Sequence, residues 1–143
     1  MSSFRAVIDT SVFIAALRSR SGASNRLLRL ALLERVDIAV SVPLVLEYES
    51  VGKERSAELG LTPAEIDTLI DALCKVARPA RVSYRYRPVL IDPNDEMVLE
   101  AAIASGSTHI VTFNLRHFRA ATRFGVNPIW PRDYLKLVGV NDE

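Results

Sequence analysis

"DPNDEMVLEAAIASGSTHIVTFN" runs from Asp92 to Asn114 and holds a helix signal followed at once by a strand signal. Asp92 suits a helix cap, Pro93 suits the first helical position, and Asp95 and Glu96 place negative charge at the positive end of the helix dipole. Gly106 stands where helices end in the left-handed conformation. The spacing therefore predicts a helix over Asp92 to Ser105, and "HIVTF" (His109 to Phe113) reads as a short buried strand.

The same alternation extends in both directions. "FRAVID" (Phe4 to Asp9) is an apolar, β-prone run, and "TSVFIAAL" begins a helix with Thr10 or Ser11 as its expected cap. Leu27, Leu28, Leu30, Ala31 and Leu33 give Ser24 to Glu34 one broad apolar face. "VDIAVS" (Val36 to Ser41) is a second strand candidate, and Pro43 opens a helix over "PLVLEYESVGKE". Thr62 and Glu65 form a capping-box pattern ahead of "AEIDTLIDALCKVA". "ARVSYRYR" (Ala80 to Arg87) is the third strand candidate, "VNPIW" (Val126 to Trp130) the fifth, and a last helix spans Pro131 to Leu137. Strands alternating with helices predict an α/β fold with a mainly parallel sheet covered on both faces. No linker, repeat or composition shift divides residues 1–143, which read as one domain.

Composition narrows the function classes. Hydrophobic residues are 49% and charged residues 24% of the 143, an ordinary globular balance. No apolar run reaches about 18 residues and no basic-then-apolar leader is present, so neither a membrane span nor secretion is expected. The one cysteine, Cys74, fits a reducing cytoplasm. It falls near the apolar stripe Ile66, Leu69, Ile70 and Leu73 and reads as core, not as a nucleophile. There is no Walker loop and no nucleophile elbow.

Sites in open α/β sheets lie beyond the carboxyl ends of the strands. That rule selects Asp9 after the first strand and Asn114 after the fourth. Asp9 reads either as a helix cap or as a partly desolvated carboxylate. Glu47 shares a helix face with Leu44, Tyr48 and Val51, so it interrupts an inward stripe, and an arginine pair would be its plainest explanation. Asp95 heads a stripe of Val98, Leu99, Ala102 and Ile103. Asp92-Pro93-Asn94-Asp95 repeats the layout of Thr62-Pro63-Ala64-Glu65, which makes Asp92 a simple cap. Glu96 and Glu100 lie on another face and are expected to be solvated. Asp9, Glu47, Asp95 and Asn114 converging at one edge would need a cation among them, and an all-oxygen set suits Mg²⁺ or Mn²⁺. Zinc is disfavoured, because His109 and His117 have no ligand-like spacing.

"VIDTSVFIAAL", "SVPLVLEY" and "DPNDEMVLEAAIASGSTHIVTFN", in that order, resemble the PIN-domain ribonucleases, in particular the branch of the VapC toxins of bacterial toxin–antitoxin pairs. The resemblance implies a three-layer α/β/α sandwich that holds Mg²⁺ or Mn²⁺ with acids and cuts RNA. It implies that Asp9, Glu47 and Asp95 are the first three acids, with Asp9 and Asp95 as metal ligands and Glu47 as a ligand or the orienter of the attacking water. Asn114 falls where the family often has a fourth acid, and Ser11 where many members have asparagine. Ser11 and Thr112 would hold the outer shell, and Arg116 and Arg119 would meet the substrate. A small antitoxin protein would be the partner, and dimers are common in the family. The alternative is a weakened PIN fold that only binds RNA or protein, which Asn114 favours. A phosphoaspartyl protein, a receiver domain or a haloacid-dehalogenase-like phosphatase, would fit Asp9 as a strand-end aspartate, but the second needs a D-x-D that Asp9-Thr10-Ser11 lacks, and neither expected lysine follows a later strand.

Overall fold

The structure is a computed structural model and describes residues 4–82, 90 and 92–140. Five short strands, β1 (Ala6–Ile8), β2 (Ile38–Val40), β3 (Arg78–Pro79), β4 (His109–Val111) and β5 (Asn127–Ile129), form one sheet in the order β3-β2-β1-β4-β5. Every pairing is parallel. The helices are α1 (Thr10–Arg18), α2 (Ala23–Leu32), α3 (Val42–Glu54), α4 (Ser56–Leu59), α5 (Pro63–Val76), α6 (Pro93–Ser105) and α7 (Pro131–Leu137), with a 3-10 segment, η1, at Leu115–Phe124. α1, α2, α3 and α5 pack against one another, while α6 lies along β1, β2 and β4 and meets η1. This is an α/β/α sandwich around an all-parallel sheet.

The strand order has a functional consequence. From β1 the chain winds outward through β2 to β3, then returns to place β4 on the other side of β1. The reversal between β1 and β4 is a topological switch point, where the connections diverge and open a crevice at the carboxyl ends of the strands.

Local rules explain most boundaries. The Thr62 hydroxyl accepts from the Glu65 amide at 3.1 Å while the Glu65 carboxylate accepts from the Thr62 amide at 2.9 Å, so the predicted capping box opens α5. Ser41 caps α3 by accepting from the Leu44 amide. Asp92 caps α6 by accepting from the Asn94 amide at 2.9 Å, and Gly106, at φ 69°, ends it. The expected cap of α1 was Thr10 or Ser11; the residue at that position is Asp9, whose side chain makes no cap hydrogen bond.

Four expectations are corrected. Glu96 and Glu100 are buried, because α6 packs against the sheet, α3 and η1 and leaves little of its surface to solvent. Glu96 Oε1 accepts from the Leu90 amide at 3.0 Å. Cys74 is exposed: Ile66, Ile70 and Leu73 form the buried stripe of α5, and one further residue turns the thiol about 100° away from it. Leu33 is exposed because α2 ends at Leu32. The third strand is Arg78–Pro79, ahead of the predicted Ala80 to Arg87, most of which lies outside the described residues.

Candidate active site at the switch point

Asp9 follows β1 directly, and its amide donates to the Val111 carbonyl at 2.9 Å, extending the β1–β4 ladder by one residue. This pins the Asp9 backbone at the switch point and leaves only 6% of the residue exposed. Its Oδ2 accepts from the Ser11 hydroxyl at 2.9 Å and from the Thr112 hydroxyl at 2.8 Å. Burial pushes the carboxyl upward. The Thr112 and Ser11 hydroxyls, the nearby Thr10 amide and His117 favour the charge and partly offset that rise. Thr112 is fully buried, and the same oxygen that donates to Asp9 accepts from the Asn114 amide at 2.9 Å. Asp9 is thus oriented by hydroxyl groups from both sides of the crevice.

Asp95 enters from the first turn of α6. Its carboxyl is pushed up to about 6 by burial first, then by the negative charges of Asp9 and Asp92. The Asp9 charge acts on Asp95, so the two carboxyls share one electrostatic site. His117 Nδ1 of η1 stands 3.4 Å from Asp95 Oδ2, close enough for an ion pair when protonated. Apart from this contact, Asp95 Oδ2 is buried with no hydrogen-bond partner among the described residues. His117 was missed as a site residue. It follows a strand that ends at the switch point, and that placement was the available signal.

Glu47 is half-buried on α3, one residue before Tyr48. Tyr48 is fully buried, stacks on Phe13 with ring centroids 4.4 Å apart, and donates its hydroxyl to the Ile8 carbonyl next to Asp9. This contact fixes α3 against the end of β1. Glu47 makes no hydrogen bond or ion pair among the described residues, so the arginine pair considered from sequence is absent there. Asn114 is exposed and begins η1. Arg116 and Arg119 lie on η1, exposed and without an ion pair among the described residues.

Among the described residues, no three His, Cys, Asp or Glu side chains are gathered as one ligand set, so Glu47 is not brought into a direct-ligand group with Asp9 and Asp95. Two carboxylates are nevertheless enough for Mg²⁺, which keeps several waters and takes one or two carboxylates plus substrate phosphate. A buried carboxylate oxygen with His117 as its only nearby donor among the described residues, beside a second buried carboxylate, is the arrangement such an ion would relieve. The residues fit.

A family model described as "PIN domain" matches residues 5–116. The chain belongs to the PIN-domain family. The match takes in Asp9, Ser11, Glu47, Asp95, Thr112, Asn114 and Arg116 of this PIN domain. Among solved structures, this PIN-domain chain is similar to a chain in the crystal structure of VapBC2 from Rickettsia felis bound to a DNA fragment from their promoter. The TM-score is 0.60, with 16% identity, covering 87% of this chain and 98% of that one. At that identity the likeness is one of fold. No curated protein matches at a significant level. Among the described residues of this PIN-domain chain, no helix is long and apolar enough to cross a membrane.

Proposed function

We propose that this PIN-domain chain is a divalent-metal-dependent endoribonuclease and the toxin of a toxin–antitoxin pair, acting in the cytoplasm. The observation that carries the reading is the electrostatic coupling of Asp9 and Asp95 at the β1–β4 switch point, with a buried Asp95 oxygen that has no donor near it but His117 among the described residues. Proteins with PIN domains are generally nucleases, which supports hydrolysis of a phosphodiester. The order of motifs that resembles VapC toxins, together with the fold likeness to a VapBC2 chain, supports a small antitoxin partner.

Asp9 and Asp95 would hold Mg²⁺ or Mn²⁺, which supplies Lewis-acid charge beside the scissile phosphate and lowers the pKa of a water. Ser11 and Thr112 keep the Asp9 carboxylate in one orientation by donating to its Oδ2. Glu47, with no partner of its own among the described residues, accepts a hydrogen bond from the attacking water and orients it. Asn114 bounds the crevice, its backbone N–H donating a hydrogen bond to the Thr112 hydroxyl. Arg116 and Arg119 bind the substrate backbone, where guanidinium groups suit phosphate.

A second reading, a weakened PIN fold that binds RNA or protein without cutting, is favoured by one observation. Asn114 is exposed and brings no charge to the site, leaving two acids in it. Purified protein, single-stranded RNA and Mn²⁺ decide between the two, with Asp9→Asn and Asn114→Asp run alongside. Cleavage by wild type that is lost in Asp9→Asn supports the nuclease. Cleavage by Asn114→Asp alone supports the binding module.

A further inference from the structure

Next to the acidic crevice lies a second, apolar groove of about 320 Å³, within the size range of small-ligand pockets. Its walls include Ala15 and Ser19 of α1, Gly22 ahead of α2, Phe113 after β4, and Trp130 and Arg132 at the junction of β5 and α7. Phe113 and Trp130 are 46% and 43% exposed, large rings left in water on neighbouring strand ends. Leu115, 40% exposed, extends the apolar surface along η1. Exposed apolar surface gathered in this way marks a binding face.

The backbone ladder fixes how this groove stands to the acids. The Asp9 amide bonds the Val111 carbonyl, and the Thr112 amide bonds the Ile129 carbonyl at 2.9 Å. Asp9, Thr112 and Trp130 therefore stand at equivalent positions on three adjacent parallel strand ends. With neighbouring strands about 4.8 Å apart, the Trp130 backbone lies roughly 10 Å from that of Asp9. Among the described residues, the one charged side chain in the lining is Arg132, and it forms no ion pair there. Arg116 and Arg119 add two more such guanidinium groups on the neighbouring η1. A ligand with a flat π face and a negatively charged backbone satisfies both features. A purely apolar helix would leave the guanidinium groups unmatched.

We infer that this groove holds an unpaired base of a single-stranded nucleic acid, stacked on Trp130 with Phe113 alongside, in the nucleotide next to the phosphate that Asp9 and Asp95 address. The inference rests on the nuclease reading for the role of the acids. The stacking itself is tested without cleavage. Trp130 is the chain's one tryptophan, so its emission reports on this groove alone.

Full-length protein in excess EDTA is titrated with a labelled oligouridylate, its deoxy counterpart, and an abasic oligonucleotide of equal length, following tryptophan emission and label anisotropy together. Base-containing strands are expected to quench Trp130 as they bind. The abasic strand is expected to bind more weakly and leave emission unchanged. Trp130→Ala is expected to weaken binding of base-containing strands about tenfold, the scale of losing one base–aromatic stack, while Trp130→Tyr keeps most of it. Because Trp130 is partly exposed, truncation leaves the core intact, and circular dichroism checks this. Saturated binding with unchanged emission, equal quenching by the abasic strand, or an undiminished affinity in Trp130→Ala each overturns the inference. Absence of any oligonucleotide binding also overturns it and returns the groove to a protein partner. Cleavage of RNA in Mn²⁺ without Trp130 quenching would leave the nuclease reading standing and remove only the stacking.

Discussion

Replacing Asp95 with asparagine removes the charge that the site holds at greatest cost. The Asp95 carboxyl is pushed up from its ordinary 3.8 to about 6 by burial and by Asp9 and Asp92. A folded-state pKa raised from 3.8 to about 6 corresponds to roughly 3 kcal/mol of penalty on the ionised form at neutral pH. The carboxylate keeps 13% of its surface in water, and screening there brings the expected value down to about 1–2 kcal/mol. The sign follows from proton binding. The folded state holds the Asp95 proton more tightly than the unfolded chain, so the penalty is absent well below pH 4. It grows as pH rises from about 4 through about 6, and is complete above that. Metal-free Asp95→Asn should therefore be more stable than wild type at pH 7.5 by about 1–2 kcal/mol. For a chain of this size that is a rise in Tm of about 3–8 °C. Thermal unfolding in EDTA at pH 4 and pH 7.5 measures it, and the gap should nearly close at the lower pH. Adding Mn²⁺ at tenfold its Kd should raise wild-type stability by roughly 1.4 kcal/mol and leave the variant unmoved. A variant less stable than wild type at pH 7.5, or a gap that does not change with pH, would refute the reasoning.

Thr112→Val removes the buried hydroxyl that joins Asp9 to the Asn114 amide; we expect a loss of about 1–3 kcal/mol in chemical denaturation and a marked fall in cleavage, with Thr112→Ser keeping most of both. Glu47→Gln should leave the urea midpoint nearly unchanged, because the side chain has no partner among the described residues, yet lower the single-turnover cleavage rate by about 10²-fold. Thr62→Ala breaks the capping box of α5 and should cost about 1 kcal/mol in denaturant titrations with no change in cleavage. Asp92→Ala should behave like Thr62→Ala, losing a cap without losing turnover, which separates Asp92 from Asp95 in function.

The sequence carried the alternation of strands and helices well, because each short apolar strand is followed by a recognisable cap, proline or glycine. Ser41, Thr62, Asp92 and Gly106 all act as their residue types foretell. It also pointed to Asp9 after β1 and Asn114 after β4, since strand ends in a parallel sheet share an edge by topology. Burial of Glu96 and Glu100 was illegible, because periodicity assumes that a helix has one wet face and α6 has almost none. The end of α2 before Leu33 and the outward turn of Cys74 each depend on a single residue of helical phase, finer than an apolar stripe specifies. η1 and His117 were missed because "NLRHFRAATRF" has no clean helical period and a 3-10 segment presents none. Glu47 was read correctly as interrupting an inward stripe. Its half-buried place beside Tyr48 depends on the stacking of Tyr48 on Phe13, a tertiary contact that no local pattern encodes.

The central claim is that Asp9 and Asp95 together hold a divalent cation at the switch point between β1 and β4. Anomalous diffraction from crystals grown or soaked in Mn²⁺ tests it most directly. We expect a single strong peak between the two carboxylates, within coordination distance of Asp95 Oδ2, and its loss in Asp9→Asn. Fully occupied Mn²⁺ elsewhere, or no peak at that site at concentrations that support cleavage, would contradict it.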